Sequence, residues 1–168
     1  MSNIQREAAF QAVVDRFIDR VVTPPMFTTA IHHENQLTDN ARARARAKGT
    51  KPGVPDIYVA QHGARSAWLE LKWGANKASE AQLATHAALH RCGIAADVCY
   101  SIYDVLQVLR KECFDLHGNT TNLAAEYQAR AEAAVRTAET RAPSRAKPRA
   151  PRVTSGKLAA YRRAGVMV

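Results

Sequence analysis

Asp56, Glu70 and Lys72 lie in one short stretch, from Gly53 to Trp73, that reads as strand, turn, strand. Asp56 follows Gly53-Val54-Pro55 and opens a first strand, Ile57-Tyr58-Val59-Ala60. Gln61 to Arg65, with Gly63 among them, has the composition of a hairpin connection. In the second strand, Trp68 to Trp73, side chains alternate. Glu70 and Lys72 therefore project from one face and Leu69, Leu71 and Trp73 from the other. A charged pair on an otherwise apolar strand is costly to bury without purpose. Two carboxylates are the hard oxygen ligands that Mg²⁺ or Mn²⁺ takes together with waters and phosphate oxygens. Lys72 beside them could orient or help deprotonate an attacking water, or offset charge on a five-coordinate phosphate. Neighbouring carboxylates raise a lysine pKa and burial lowers it, so the sequence leaves its charge state open. The plainer reading is a surface hairpin carrying a Glu-Lys pair. The joint occurrence of Gly-x-Pro-Asp, strand-turn-strand and Glu-x-Lys favours chemistry.

Other elements must hold these strands. Residues Ile4 to Val22 have the spacing of an amphipathic helix, with Ala8, Val14, Phe17, Ile18 and Val21 inward, Asn3 as N-cap and Thr23-Pro24-Pro25 as a stop. Met26 to His32 is expected to be extended. A helix from Glu80 to Cys92 follows the two central strands, with Leu83, Ala87 and Leu89 inward and Gly93 at C′. Ile94 to Tyr100 reads as a further strand, and Ser101-Ile102-Tyr103-Asp104 as the capped start of a helix to about Cys113. The order helix, strand, strand, strand, helix, strand, helix predicts an α/β fold with a mixed four-stranded sheet and helices on its faces.

These residues resemble the PD-(D/E)XK nucleases, and within them the small VRR-NUC type, related to Holliday-junction resolvases and the Fanconi-associated nuclease. Pro55-Asp56 matches the first half of the motif and Glu70-Leu71-Lys72 the second. Lys48 to Val54 is similar to the Gly-rich approach of that type. The resemblance continues through Ser79-Glu80-Ala81-Gln82 to Gly93 and Tyr100-Ser101. It implies a restriction-endonuclease-like core and Mg²⁺- or Mn²⁺-dependent hydrolysis of DNA. Asp56 and Glu70 would bind the metal with the main-chain carbonyl of Leu71, and Lys72 would assist the water. It also implies an acid from the first helix, a place that Glu7 fills, with Glu34 as the competitor. Glu7 is equally a residue favoured near a helix N-terminus. Gln82 resembles a glutamine that faces the active centre in such enzymes, and equally completes a Ser-x-x-Gln capping box. Small relatives act as dimers on branched DNA, so a homodimer is compatible with the resemblance.

At 168 residues the chain is long enough for one substantial core. Residues 1–117 are expected to form the nuclease-like domain, 118–141 a helical extension, docked or solvated, and 142–168 a disordered basic tail. Charge is uneven. Met1 to Thr140 holds 16 Lys/Arg against 15 Asp/Glu, whereas Arg141 to Val168 holds eight Lys/Arg and no acid. Such asymmetry favours a polyanion, nucleic acid ahead of a membrane surface, and Tyr161-Arg162-Arg163 could stack on a base. Arg42, Arg44, Arg46 and Lys48 precede Asp56 and suit phosphate contacts, or else a solvated face. Lys51 and Lys77 are further candidates for contact with nucleic acid. Cys92, Cys99 and Cys113 show no ligand spacing and read as free thiols of a reducing cytoplasm. His86 and His90, four apart, lack the further ligands of a zinc site. The N-terminus shows no signal-peptide pattern, and no apolar run is long enough to span a membrane. The rivals to a nuclease are a non-catalytic DNA-binding module and an accessory subunit of a nuclease complex.

Overall fold

A computed structural model describes residues 3–31, 40, 43, 47, 49 and 51–140. The expectations for Glu34, Arg42, Arg44, Arg46, Lys48 and the 142–168 tail lie outside the described residues. The elements in chain order are α1 (Asn3–Val21), β1 (Met26–Ala30), β2 (Ile57–Gln61), β3 (Arg65–Leu71), α2 (Glu80–Arg91), β4 (Ala95–Cys99), α3 (Ile102–Lys111) and α4 (Thr120–Thr140). The four strands form one sheet in the order β1-β2-β3-β4. The first two pairings are antiparallel and β3–β4 is parallel. A parallel neighbour needs a crossover, and α2 supplies it. This is the mixed four-stranded α/β architecture expected from the sequence and from the resemblance.

Ile57, Val59, Ala67, Leu69 and Leu71 are fully or almost fully buried, and the registers Ile57↔Leu69 and Val59↔Ala67 put them on one face. That face packs against α1 and α3, and α4 closes the single core against those two helices. α1 is a one-sided amphipathic helix, as expected. Phe10, Val13, Val14, Phe17, Ile18 and Val21 are all inside, whereas Ala8, expected inward, is exposed. Ala8 stands six residues, about 240° of helix, from Val14 and so falls on the far side, while the stripe itself is held between the sheet and α4. Phe10 meets Trp73 at 5.1 Å between ring centroids on one side, and Phe17 meets Tyr127 at 5.5 Å on the other. Each large side chain sequestered here contributes about 1.5–3 kcal/mol. Asn3 is already helical rather than the cap preceding the helix. α4 is docked rather than solvated, burying Ala124, Tyr127, Ala131 and Val135 at intervals of three and four.

Gln61, expected in the hairpin connection, is the last residue of β2 and is buried. Its Nε2 donates to the carbonyls of Thr23 (2.7 Å) and Asp115 (3.1 Å), and its Oε1 accepts from the Asp115 N–H at 2.7 Å. One side chain thus ties the sheet to the segments after α1 and after α3. Gln61→Leu removes these partners of the Thr23 carbonyl and the Asp115 N–H, while the Asp115 carbonyl keeps the Thr23 N–H at 2.8 Å, and should cost about 2 kcal/mol of stability, readable as a lower urea midpoint at unchanged slope.

α2 turns a different face inward than expected. Leu83 is 53% exposed and Ala87 is also exposed, whereas Gln82 is partly covered and His86 is buried. Both 82/86 and 83/87 repeat at four residues, so periodicity alone could not choose between them. The helix begins with a capping box. There Ser79 caps Gln82 N–H, and the Gln82 side chain accepts from Ser79 N–H at 2.7 Å. Gly93 occupies C′ with φ +74°, as expected. Among the described residues no helix is long and apolar enough to cross a membrane.

Candidate active site

The β2–β3 register that pairs Ile57 with Leu69 brings the preceding Asp56 across from Glu70. Asp56 is fixed at several points. Its carbonyl accepts from Ile31 N–H at 2.7 Å and from Gln11 Nε2 at 3.5 Å, and its Oδ2 accepts from Leu71 N–H at 2.7 Å. The two carboxylates therefore converge at the end of adjoining strands.

Glu70 is fully buried and Lys72 is 8% exposed. Lys72 Nζ donates to Glu70 Oε1 at 2.5 Å, and Gln82 Nε2 donates to the same oxygen. Gln82 therefore fills both roles considered for it: its amide oxygen closes the capping box and its amide nitrogen reaches Glu70. Burial pulls the Lys72 ammonium downward. The hydrogen bond to Glu70 and the fields of Glu70, Glu7 and Asp56 together outweigh it, so its pKa lies above the ordinary lysine value of 10.5. Lys72 is a cation at neutral pH. It can orient a water or balance charge on phosphate, but it has no lone pair with which to act as a base.

Glu7 belongs to the same cluster, though not through the helix dipole: α1 has no acid in its first turn. Its Oε1 accepts from Asn76 Nδ2 at 2.9 Å, and its field reaches Lys72. Asn76 was not foreseen, since Gly74-Ala75-Asn76 signals only a chain break. Lys51 and Lys77 are exposed. Lys51 lies at a groove between the loop before Asp56 and α2, lined also by Pro52, Val54, Ala81, Ala84 and Ala88.

Gly53 sets the distance between that loop and α2. Its φ is +78°, and a Cβ there would stand 2.4 Å from the Ala81 carbonyl oxygen and 2.8 Å from Gln82 N. The loop that ends in Asp56 thus rests on the helical turn that carries Gln82.

Below Gln82, His86 is buried and its pKa is lowered, first by burial and then by the positive fields of His90 and Lys72 against the opposing Asp97. It is neutral at pH 7. The His90 ring nitrogen meets the Ala96 carbonyl at 2.8 Å. Cys92, Cys99 and Cys113 are free thiols, and burial pushes the Cys99 thiol far above its ordinary range.

Among the described residues, no group of three or more His, Cys, Asp and Glu is gathered closely enough to hold a metal ion. The donor set nevertheless suits Mg²⁺ or Mn²⁺, which take one or two carboxylates and complete their shell with water and substrate oxygens. Charge points the same way. The fields of three acids, Glu70, Glu7 and Asp56, meet at the Lys72 ammonium. A divalent cation bound among them would be the largest local charge in the site.

No family model matches the chain, and no curated protein sequence matches it. Among solved structures, one described as "VRR_NUC domain" aligns over 65% of this chain and 98% of its own length, at 18% identity and a TM-score of 0.44.

Proposed function

We propose that the protein is a metal-dependent nuclease that hydrolyses DNA phosphodiester bonds. The observation that carries this reading is the convergence of Asp56 and a fully buried Glu70 across one strand pair, with charged Lys72 against Glu70. Asp56 and Glu70 would hold Mg²⁺ or Mn²⁺, with the Leu71 carbonyl as a further oxygen and Glu7 at the margin. The bound cation would supply Lewis acidity toward a phosphoryl oxygen and lower the pKa of a water. Lys72, kept protonated, stabilises negative charge that develops on the phosphate. Gln82 holds the Glu70 carboxylate in orientation by its amide N–H. The strongly basic sequence, +9 overall, supports a polyanionic substrate. Lys51 and Lys77, with Arg42, Arg44, Arg46 and Lys48, are the cations proposed to meet its backbone. A homodimer with one site per subunit would suit paired cuts on branched DNA.

A second reading, a DNA-binding module without catalysis or an accessory subunit of a nuclease complex, has one observation in its favour. Both carboxylates already accept hydrogen bonds from the protein, Asp56 from Leu71 and Glu70 from Lys72 and Gln82. Incubation with linear, flapped and four-way-junction DNA in Mg²⁺, Mn²⁺ or EDTA separates the two. Cleavage that needs the metal and falls at least about 10³-fold in Asp56→Ala supports the nuclease. Binding without cleavage in either metal supports the module, and cleavage that survives EDTA or Asp56→Ala removes the assignment.

A further inference from the structure

The sheet face that carries the acid pair does not end at it. Side chains two apart on a strand share a face, about 7 Å along, so Tyr58 follows Asp56 and Trp68 precedes Glu70 on that same surface. Tyr58 and Trp68 are direct cross-strand partners, with ring centroids 4.8 Å apart and planes at 45°. Phe27 on the edge strand β1 extends the row, 6.5 Å from Tyr58. Phe27 is 58% exposed, and Tyr58 and Trp68 are only partly covered. Three adjoining rings on a partly open sheet face are not needed by the core, which lies on the opposite face.

We infer that Phe27, Tyr58 and Trp68 form a stacking platform for unpaired nucleobases beside the Asp56/Glu70 pair. The inference rests on the proposed function and deepens it: the substrate would present single-stranded nucleotides next to the reacting phosphate. Charge complementarity selects the occupant. The body to Thr140 is nearly neutral and the excess cations lie in residues 141–168, so a nucleic acid strand offers phosphates to these and to exposed Lys51 and Lys77, and flat π-faces to the rings, which an apolar protein surface does not. Stacking on aromatic side chains tolerates any base, so the platform would select strand state rather than sequence. With a phosphate at the acid pair, the adjoining nucleotides would run across β3, β2 and β1, the direction in which the three rings are laid out.

The test is binding in EDTA, by fluorescence anisotropy, of two single-stranded oligonucleotides of equal length. One is fully based and the other carries three central abasic sites, so their phosphates are identical. Wild type should bind the abasic strand on the order of 5- to 150-fold more weakly for each stack lost. In Phe27→Ser, whose ring is exposed, and in Trp68→Thr that preference should shrink. Equal affinities in the wild type overturn the platform, a result that needs no variant. A Phe27→Ser protein that keeps the preference but changes from dimer to monomer by sedimentation assigns the face to a second copy instead, and also overturns it. Because binding is read without metal, base preference without cleavage in Mg²⁺ counts against the nuclease alone. Cleavage without base preference counts against the platform alone.

Discussion

Lys72→Met should lower folding stability by about 3–5 kcal/mol, the cost of removing one member of a buried ion pair. The prediction follows from Glu70, which is fully buried and receives Lys72 Nζ at 2.5 Å. Removing the ammonium leaves a carboxylate among apolar strands with the Gln82 amide as a remaining donor. Adding Glu70→Gln removes the opposing charge as well, and the double variant should recover most of the loss. Replacement of a whole buried pair by neutral groups is often neutral or stabilising. Urea midpoints of the two single variants and the double variant form a cycle, and its coupling term should be at least about 2 kcal/mol. Cleavage should be absent from all three, whatever their stability. Separation of stability from activity is the mark of a pair kept for chemistry. A double variant as unstable as Lys72→Met would mean that the pair is simply part of the packing. The pH dependence has a definite sign. Lys72 has a raised folded-state pKa, so its contribution is complete below about pH 10.5 and is lost as pH rises through the folded value.

Gly53→Ala should reduce activity at least about 100-fold, since misplacement of a catalytic group by about 1 Å has an effect of that size. The added Cβ would stand 2.4 Å from the Ala81 carbonyl oxygen and 2.5 Å from its carbon, both main chain, so the loop or the helix must move. The loop carries Asp56 three residues later, and the helix carries Gln82 at its first turn. Displacement therefore separates the two sides of the site. Gly93→Ala is the matched control. It also has positive φ, +74°, but a Cβ there meets nothing within 4 Å. It should cost about 1–2 kcal/mol of stability from backbone strain and leave turnover unchanged. Equal activity losses in the two variants would show that general destabilisation, rather than the Gly53 contact, is responsible.

The parts of the site legible in the sequence are those governed by strand periodicity. A period of two puts Glu70 and Lys72 on one face, and a hairpin brings Asp56 opposite Glu70 without knowledge of anything more distant. The inward face of α2 was not legible. Its two candidate stripes are equally spaced, and what selects Gln82 and His86 is the seating of Gly53 on Ala81, a contact between segments 28 residues apart. The inward stripe of α1 is legible in the sequence except at Ala8, which lies off the 3.6-residue phase of Val14, Phe17, Ile18 and Val21. Gln61 was hidden for a reason related to that of α2. A glutamine beside a turn looks solvated unless the carbonyls of Thr23 and Asp115 are known to converge on it. The dual use of Gln82 resolves an ambiguity that sequence could only pose, because capping and contact with Glu70 employ different atoms of one amide.

Titration of the wild-type protein with Mn²⁺, followed by calorimetry, addresses the carboxylate pair most directly. A saturable site is expected, whose affinity falls at least about tenfold in Asp56→Ala and again in Glu70→Gln, while Glu80→Gln on the exposed start of α2 leaves it unchanged. Mn²⁺ affinity that is the same in wild type, Asp56→Ala and Glu70→Gln would contradict it.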